Sequence, residues 1–357
     1  MNGDCLNFKN PIRDAISRIR FAPHYNNLLI SSWDSSLRLC NVDKSELRLE
    51  VPTEAALLDC CFEGDSVALS AGSDGSICRY DMHLGTSVTI GNHDDLATCA
   101  EYSDETCLIV TAGWDRKIMF WDSRATRSLG CLSNLGVEVE SLSLSGFNLM
   151  VAIRSSVYIY DLRNCHESVQ AKESFMDIQL KCVRPIHNFE GFVVGSTDGR
   201  VALEYLGQSK SKNEGYAFRC HPKGKNGRHH LVAVNDIAFS PSYVLLSFSA
   251  CYDGLLQLAC SIILFLFSND GVFVTADNEG YATTWDARSK RRLVELPRYP
   301  NSIASLSYNH DGQLLAVASS YTYQEANERE ELPQIFIHKT DDIHTRSGST
   351  SSSMGNY

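Results

Sequence analysis

VTAGWDRKIMFWDSR, residues 110–124, contains the pattern that decides the fold. It runs from a short apolar stretch through a small-residue turn to an acidic residue, then through a second apolar stretch to an aromatic–Asp ending. In the second stretch Ile118 and Phe120 alternate with Met119 and Trp121, which is the period of a β-strand. The segment therefore predicts two adjacent strands joined by a tight turn.

The same pattern recurs along the chain, at residues 30–42, 69–82, 151–163, 193–206 and 274–288, and finally at 315–324 with a closing segment at 333–340. The turn aspartates Asp34, Asp74 and Asp115 follow one another at intervals of 40 and 41 residues. A period of about 40–45 residues is typical of WD40 β-propellers, in which each repeat forms a four-stranded blade. We therefore predict an all-β, seven-bladed WD40 propeller as a single domain over residues 1–341.

Local features agree with closed blades. Glycines stand where a tight hairpin turn needs positive φ, at Gly75, Gly199 and Gly280. The segment CLNFKN, residues 5–10, precedes a first blade that begins near Ile16, and we expect it to pair with the last blade and cover an exposed strand edge. The Ser-rich, apolar-poor residues 342–357 predict a disordered tail.

One step of the repeat is about twice the usual length, since Asp198 and Glu279 are 81 residues apart. The excess includes an apolar stretch at 242–268, between two strands of blade six that are normally joined by a few residues. A further blade does not fit, because Asp253 precedes Glu279 by only 26 residues. The stretch is long enough for a transmembrane helix, but such a helix would separate neighbouring strands of one blade. We favour an additional segment from alternative message processing or an imprecise gene model, extruded as a loop, which puts the integrity of blade six in doubt.

Composition narrows the class of protein. The net charge is −11, with 32 Lys and Arg against 43 Asp and Glu, which argues against a general nucleic-acid binder. The 13 cysteines are scattered without C-x-x-C pairs or zinc-finger spacing. We expect free, reduced cysteines in a cytosolic or nuclear protein, and the opening residues predict no secretory signal.

The sequence contains no motif of a known catalytic site: no phosphate-binding loop, nucleophile elbow or zinc-protease helix. Asp34, Asp74, Asp115 and Asp198 occur once per blade, so we interpret them as acceptors of turn hydrogen bonds rather than paired acids. The adjacent histidines at 229–230 lie in a Gly/Lys-rich loop and are interpreted as solvated. We predict a rigid peptide-binding platform with no enzymatic activity, cofactor or metal.

Four side chains are candidates for peptide binding. Trp33 and Trp114 directly precede turn aspartates and belong on one face of the ring, where a binding role and a structural role are equally open. Arg200 follows a turn glycine, and Arg219 lies in the apolar run YAFRCH. Because an unpaired buried charge is costly, each arginine must reach an edge, a partner or a structural salt bridge, and position alone favours the salt bridge.

Several segments resemble the mitotic-checkpoint propellers of the "budding uninhibited by benzimidazole" family, whose relatives act in messenger-RNA export. The most specific are DGRVALEYL (198–206), GYAFRCHPK (215–223) and RYPNSIASLSYNHDGQLLAVASSYTYQ (298–324), with agreement in SSWDSSLRL, AGWDRKIMFWD and VYIYDLRN. The resemblance covers nearly the whole chain except 242–268 and the tail.

The resemblance implies a monomeric adaptor that binds a glutamate-paired motif in checkpoint kinases and kinase-like proteins and recruits them to kinetochores, delaying anaphase. Arg200 and Arg219 match the basic clamp for the glutamates, and Trp33 and Trp114 match tryptophans that flank the peptide. The family also docks a phosphorylated kinetochore scaffold, with Arg219 as a phosphate contact. A further basic residue of that site should follow NDIAFSP (235–241), where the insertion displaces it.

The same resemblance implies a nuclear protein at the chromosome, centromere and kinetochore, and in part in the cytoplasm. Partners would include components that inhibit the anaphase-promoting complex, without direct nucleic-acid or membrane binding. Two alternatives stay open. One is a nuclear-pore and messenger-RNA-export adaptor, against which the charge and YAFRCH weigh. The other is a substrate receptor of a cullin-type ubiquitin ligase, suggested by the boxes WDSR (121–124), YDLR (160–163) and WDAR (285–288), which are also common as blade-end turns.

Overall fold

A computed structural model describes residues 3–124, 127–132, 135–186, 190–206, 215–220, 232–241, 271–322, 331–341 and 343. Seven four-stranded antiparallel sheets follow one another along the chain, and the innermost strands of neighbouring sheets contact each other around a closed ring. The predicted seven-bladed WD40 propeller is confirmed. The apolar stretch at 242–268 and the tail at 342–357, apart from Ile343, lie outside the described residues.

The strands are numbered in chain order, and each blade is given from its innermost to its outermost strand. The chain opens with β1 (Asp4–Cys5). Blade one contains β2 (Ile16–Phe21), β3 (Asn27–Ser32), β4 (Ser36–Asn41) and β5 (Glu46–Pro52). Blade two contains β6 (Leu57–Phe62), β7 (Val67–Gly72), β8 (Ser76–Asp81) and β9 (Thr86–Asn92). Blade three contains β10 (Ala97–Ser103), β11 (Leu108–Gly113), β12 (Ile118–Asp122) and β13 (Arg127–Leu132).

The second half of the ring repeats this order. Blade four contains β14 (Ser141–Ser145), β15 (Asn148–Ile153), β16 (Ser156–Asp161) and β17 (Asn164–Glu173). Blade five contains β18 (Leu180–Pro185), β19 (Gly191–Ser196), β20 (Arg200–Tyr205) and β21 (Tyr216–Arg219). Blade six contains β22 (Val234–Phe239), β23 (Val272–Asp277), β24 (Ala282–Asp286) and β25 (Arg291–Glu295). Blade seven contains β26 (Ile303–Tyr308), β27 (Leu314–Ser319) and β28 (Gln334–Lys339), with β1 as its outermost strand.

The N-terminal segment closes the ring as the sequence predicts. Asp4 and Cys5 pair with Ile337 and Phe336 on β28, and the Leu6 N–H donates to the Ile335 carbonyl at 2.9 Å. Leu6 is itself buried in the apolar core beside blade one. The first residues of the chain therefore cover an edge that would otherwise expose unpaired backbone groups.

Blade six is complete in spite of the long segment within it. β22 and β23 pair in register from Asp236↔Ala276 to Phe239↔Phe273, and the Ser240 N–H donates to the Val272 carbonyl at 3.0 Å. The doubt that the sequence raised about this blade is therefore removed. In the described part of the chain, no helix is long and apolar enough to cross a membrane.

A chain of hydrogen-bonded side chains fixes the core of blade three. The ring Nδ1 of His93 lies 3.0 Å from the Asp115 carboxylate, and its Nε2 lies 2.8 Å from the Thr111 hydroxyl. That hydroxyl also accepts the indole N–H of Trp121 at 2.9 Å. All four side chains are almost fully buried, which confirms a structural role for Asp115 and places Trp121 in the core.

We expect Thr111→Val to destabilise the propeller although it keeps the shape of the side chain. The change leaves buried polar nitrogens of His93 and Trp121 without a partner, which costs about 1–3 kcal/mol for each group. The urea midpoint of unfolding measures the loss. Thr86→Val, on the exposed outer strand β9, is the matched control, and an equal shift in both variants would contradict the assignment.

The antiparallel order of the strands sorts the connections onto two faces of the ring. Turns between second and third strands, and links from the fourth strand to the next blade, lie on what we call the upper face. Turns between first and second strands, and between third and fourth strands, lie on the lower face.

The described cysteines, 11 of the 13, are all free, as the sequence predicts.

Candidate functional site

The four candidate residues all lie on the upper face. Trp33 occupies the β3–β4 turn of blade one, and Trp114 occupies the β11–β12 turn of blade three. In blade five Arg200 begins β20 directly after an upper turn, and Arg219 ends β21 on the same side. Residues that are 186 positions apart in sequence, Trp33 and Arg219, therefore share one surface.

The two tryptophans line the upper mouth of the central channel. A cavity of about 590 Å³ lies there, with walls from all seven blades that include Trp33, Trp114, Glu138, Lys181 and Tyr321. The two indoles are 41% and 52% exposed, which is unusual for so large an apolar side chain. About half of each indole surface is therefore available to a ligand.

The two arginines are direct neighbours across the β20–β21 pair. Arg200 Nε donates to the Asp198 carboxylate at 2.7 Å, and its Nη2 donates to the Met176 carbonyl at 3.0 Å. Arg219 Nη1 donates to the Asp198 carbonyl at 3.2 Å, with its Nη2 3.7 Å from the carboxylate of the same residue. Asp198 thus holds both guanidinium groups, which accounts for the structural salt bridge favoured by their positions in the sequence.

The local backbone explains why these residues converge. Gly199, between Asp198 and Arg200, has a φ of 82°, and a Cβ there would come within 2.5 Å of the Val232 carbonyl oxygen. Only glycine fits this turn. The turn directs the buried Asp198 carboxylate beneath the two arginines that follow on β20 and β21.

Two positive charges share one carboxylate at this position, so the cluster carries an excess positive charge. The side chains of Arg200 and Arg219 are 31% and 46% exposed. A guanidinium forms paired, charge-assisted hydrogen bonds with carboxylate or phosphate. The cluster can therefore bind an anionic side chain that approaches the upper face at blade five.

The charged network around the central channel is a feature that the sequence analysis missed. Arg18 on β2 donates to Asp59 at 2.9 Å and to Asp236 at 3.2 Å. Arg184 on β18 donates to the other oxygen of Asp236 at 2.6 Å. The signal was a charged residue within the apolar first strand of several blades, as in ISRIRF, LLDCCF and VNDIAF.

Asp236 stays ionised in this network although it is completely buried. Burial is the largest effect and by itself raises the pKa, but Arg184, Arg18 and the Leu306 N–H together outweigh it. The pKa of Asp236 therefore lies below its ordinary value. Asp236 also accepts the Ser305 hydroxyl at 3.1 Å, so one carboxylate joins blades one, five, six and seven.

The lower face carries the boxes that suggested a ligase receptor. Arg124 pairs with Asp122 at 3.1 Å, and Arg163 pairs with Asp161 at 2.6 Å. These residues form the turns between third and fourth strands, and each arginine is bound to the aspartate of its own box. This self-pairing is what blade-end turns require.

Two further expectations concern residues outside the described ranges. The structure does not describe the histidines at 229–230. It also does not describe the position directly after Pro241, where a phosphate-binding basic residue was expected. Within the described part of the chain, no three His, Cys, Asp or Glu side chains cluster in a way that could hold a metal ion.

Comparison with known proteins gives the chain its relatives. The family "WD domain, G-beta repeat" matches residues 85–122. Mitotic checkpoint protein BUB3.3 of Arabidopsis thaliana is 48% identical over 339 residues, which cover 95% of this chain and all of the relative. Mitotic checkpoint protein BUB3.1 of the same plant is 36% identical over 94% of this chain and 93% of its own length.

A more distant relative is the mRNA export factor GLE2 of Chaetomium thermophilum, 26% identical over 88% of this chain and 83% of its own length. Its identity is well below that of the two checkpoint proteins. The seven blades and full-length similarity to relatives at 48% and 36% identity lead to one conclusion: this chain belongs to the BUB3 family of mitotic checkpoint proteins.

Proposed function

We propose that this propeller is a non-catalytic adaptor of the spindle-assembly checkpoint that binds glutamate-paired motifs of checkpoint kinases and kinase-like proteins. It recruits them to kinetochores, supports chromosome attachment and delays anaphase. The observation that carries the proposal is the pair of neighbouring, partly exposed arginines Arg200 and Arg219, which share a single carboxylate on the upper face.

The binding mode follows from this charge arrangement. One glutamate of the motif binds at Arg200 and Arg219, where its carboxylate adds to the single negative charge of Asp198. The rest of the peptide lies across the upper face and uses the exposed rings of Trp33 and Trp114 at the channel mouth. A rigid ring imposes little conformational cost on the protein, so the ordering cost falls on the peptide.

The proposed partners and location extend this role. The adaptor acts in the nucleus at chromosomes and kinetochores, and in part in the cytoplasm, where it also contacts a phosphorylated kinetochore scaffold through Arg219. It associates with components that inhibit the anaphase-promoting complex. The names of the relatives, mitotic checkpoint proteins, support this class of role.

The direct test is calorimetric titration of the full chain with a synthetic peptide that carries the glutamate pair. The expected result is micromolar or tighter binding, which is lost when both glutamates are replaced by glutamine. The glutamine peptide is the matched control, because it keeps length and hydrogen-bonding groups and removes only the charge. Equal binding of both peptides would contradict recognition of paired glutamates.

A variant without residues 242–268 tests whether this segment matters. The described residues that flank it, Pro241 and Gly271, lie at the lower face, so we expect both forms to bind the peptide equally. Binding by the shortened form alone would mean that the segment disables the adaptor. If neither form binds the peptide although the ring is folded, the result would favour the alternative function as a ligase substrate receptor.

A further inference from the structure

The links between blades share one backbone hydrogen bond on the upper face. In five blades, an N–H in the link after the fourth strand donates to a carbonyl in the turn between second and third strands. The donor directly follows the strand in four of these blades and lies four residues beyond it in blade six. The pairs are Thr53–Ser35 (2.8 Å), His93–Gly75 (2.9 Å), Ser174–Ser155 (2.8 Å), Cys220–Gly199 (3.0 Å) and Tyr299–Gly280 (2.8 Å). Because the bond is the same, it defines which positions correspond from blade to blade.

The residue just before this N–H is arginine in only two of these five blades. Blades one, two and four have Pro52, Asn92 and Glu173 at this position. Blade five has Arg219, and blade six, its neighbour in the ring, has Arg298. Arg298 thus occupies in blade six the position that Arg219 occupies in blade five.

The two arginines are held in the same way. Arg219 donates to the carbonyl of Asp198 at 3.2 Å, and Arg298 donates through Nε to the carbonyl of Glu279 at 2.7 Å. Asp198 and Glu279 each directly precede the turn glycine of their blade. Both glycines have positive φ, 82° and 84°, so the two turns present equivalent carbonyl groups to the two guanidiniums.

Arg298 is exposed and already oriented. Its guanidinium lies 5.6 Å from the ring centre of Tyr281, which occupies in blade six the position that Arg200 has in blade five. The ring contact and the Nε bond fix the plane of the guanidinium. Among the described residues, its two terminal nitrogens make no hydrogen bond, so a fork of N–H donors faces outward.

We propose that Arg298 is a second anion-binding position on the upper face, which binds a further carboxylate or phosphate group of the peptide held at blade five. The inference rests on the proposed function and extends it. The recognised peptide has an acidic stretch, or a phosphorylated residue, beyond its glutamate pair on the side that lies over blade six. The Nε bond to the Glu279 carbonyl is enough to hold the link between blades. The two terminal nitrogens of Arg298 are therefore available for a ligand.

The test compares three kinds of peptide by calorimetry. One carries the glutamate pair alone, a second adds three glutamates on the N-terminal or the C-terminal side, and a third adds one phosphothreonine on either side. Each is titrated into the wild-type chain, Arg298→Ala and Arg292→Ala. Arg292 is the control, because it is an exposed arginine of the same blade that pairs with Glu295 at 2.8 Å.

We expect extension on one side to tighten binding roughly tenfold in the wild-type chain and in Arg292→Ala, as one charge-assisted contact can. Arg298→Ala should bind the short peptide normally and lose the gain. A gain from the glutamates alone identifies a carboxylate site, and a gain from phosphothreonine alone identifies a phosphate site.

The inference is overturned if no extension tightens binding, or if Arg298→Ala keeps the full gain. These outcomes are separate from failure of the proposed function, which would appear as no binding of the short peptide. If the short peptide does not bind but an extended one binds through Arg298, the anion site stands and the glutamate clamp does not. Unchanged urea unfolding of Arg298→Ala rules out a structural cause.

Discussion

Arg200→Ala and Arg219→Ala are each expected to weaken binding of a glutamate-paired peptide by about 2–5 kcal/mol, which is at least a roughly 30-fold rise in Kd. In the proposed complex the peptide covers both guanidiniums, so loss of one would leave a carboxylate desolvated without its full set of donors. Calorimetry with the peptide measures the effect. Because both arginines are partly exposed, each variant should unfold close to the wild-type midpoint.

Two comparison variants make this prediction specific. Arg124→Ala removes an exposed arginine that pairs with Asp122 on the lower face, and it should leave peptide affinity unchanged. Arg219→Lys keeps the charge but loses the planar fork, so we expect an intermediate affinity. Wild-type affinity in both alanine variants would refute the assignment of the clamp.

Asp236→Ala should be the most destabilising single change in the channel network. Removal of this carboxylate leaves Arg184 buried without its carboxylate partner and takes one of two partners from the partly buried Arg18. Breaking a buried pair in this way costs about 3–5 kcal/mol. Urea unfolding measures the free energy difference. Glu295→Ala, which breaks the exposed pair with Arg292, should change the midpoint little, and a comparable loss in both variants would contradict the role of Asp236.

The same variant gives a prediction for pH. The pKa of Asp236 is lower in the folded ring than in the unfolded chain. In the unfolded chain an aspartate has a pKa of about 3.9. Its stabilising contribution is therefore fully present above that pH and is lost as pH falls through the folded pKa. We expect the stability gap between wild type and Asp236→Ala to be constant from pH 7 to about 5 and to narrow on further acidification. A gap that widens in acid would contradict the sign.

The local pattern was sufficient to predict the fold because each blade is built from neighbouring strands. Alternation in IMFWD and the turn at Gly75 specify strands and hairpins within about 40 residues, and repetition supplies the rest. The pairing of β1 with β28 joins the two ends of the chain, yet it too was predicted, since an open ring would leave an edge exposed. The doubt about blade six was misplaced, because β22 and β23 pair in register on either side of the long connecting segment.

The sequence supplied the candidate residues, whose binding role stays a prediction, but not their arrangement. Position in the repeat assigns Trp33 and Trp114 to upper turns, and the resemblance to checkpoint propellers selects Arg200 and Arg219. No sequence signal indicates that Asp198 holds both arginines, since its place as the turn aspartate is shared with other blades. The correspondence of Arg219 with Arg298 also stays hidden, because the sequence around the two positions differs and only the shared backbone bond aligns them.

By itself the sequence determined that this protein is a ring of seven antiparallel blades with a turn aspartate in several of them, because those features depend on residues close together in the chain. Tertiary structure alone decided that Arg18, Arg184, Asp59 and Asp236 form one network around the central channel. It also decided that the arginines of blades five and six face the same way at adjacent positions. The network depends on closure of the ring, which brings residues of different blades within hydrogen-bond distance and excludes much of the water that would otherwise screen their charges. The arginines depend on the equivalent turns of two neighbouring blades, which hold each guanidinium on the same face.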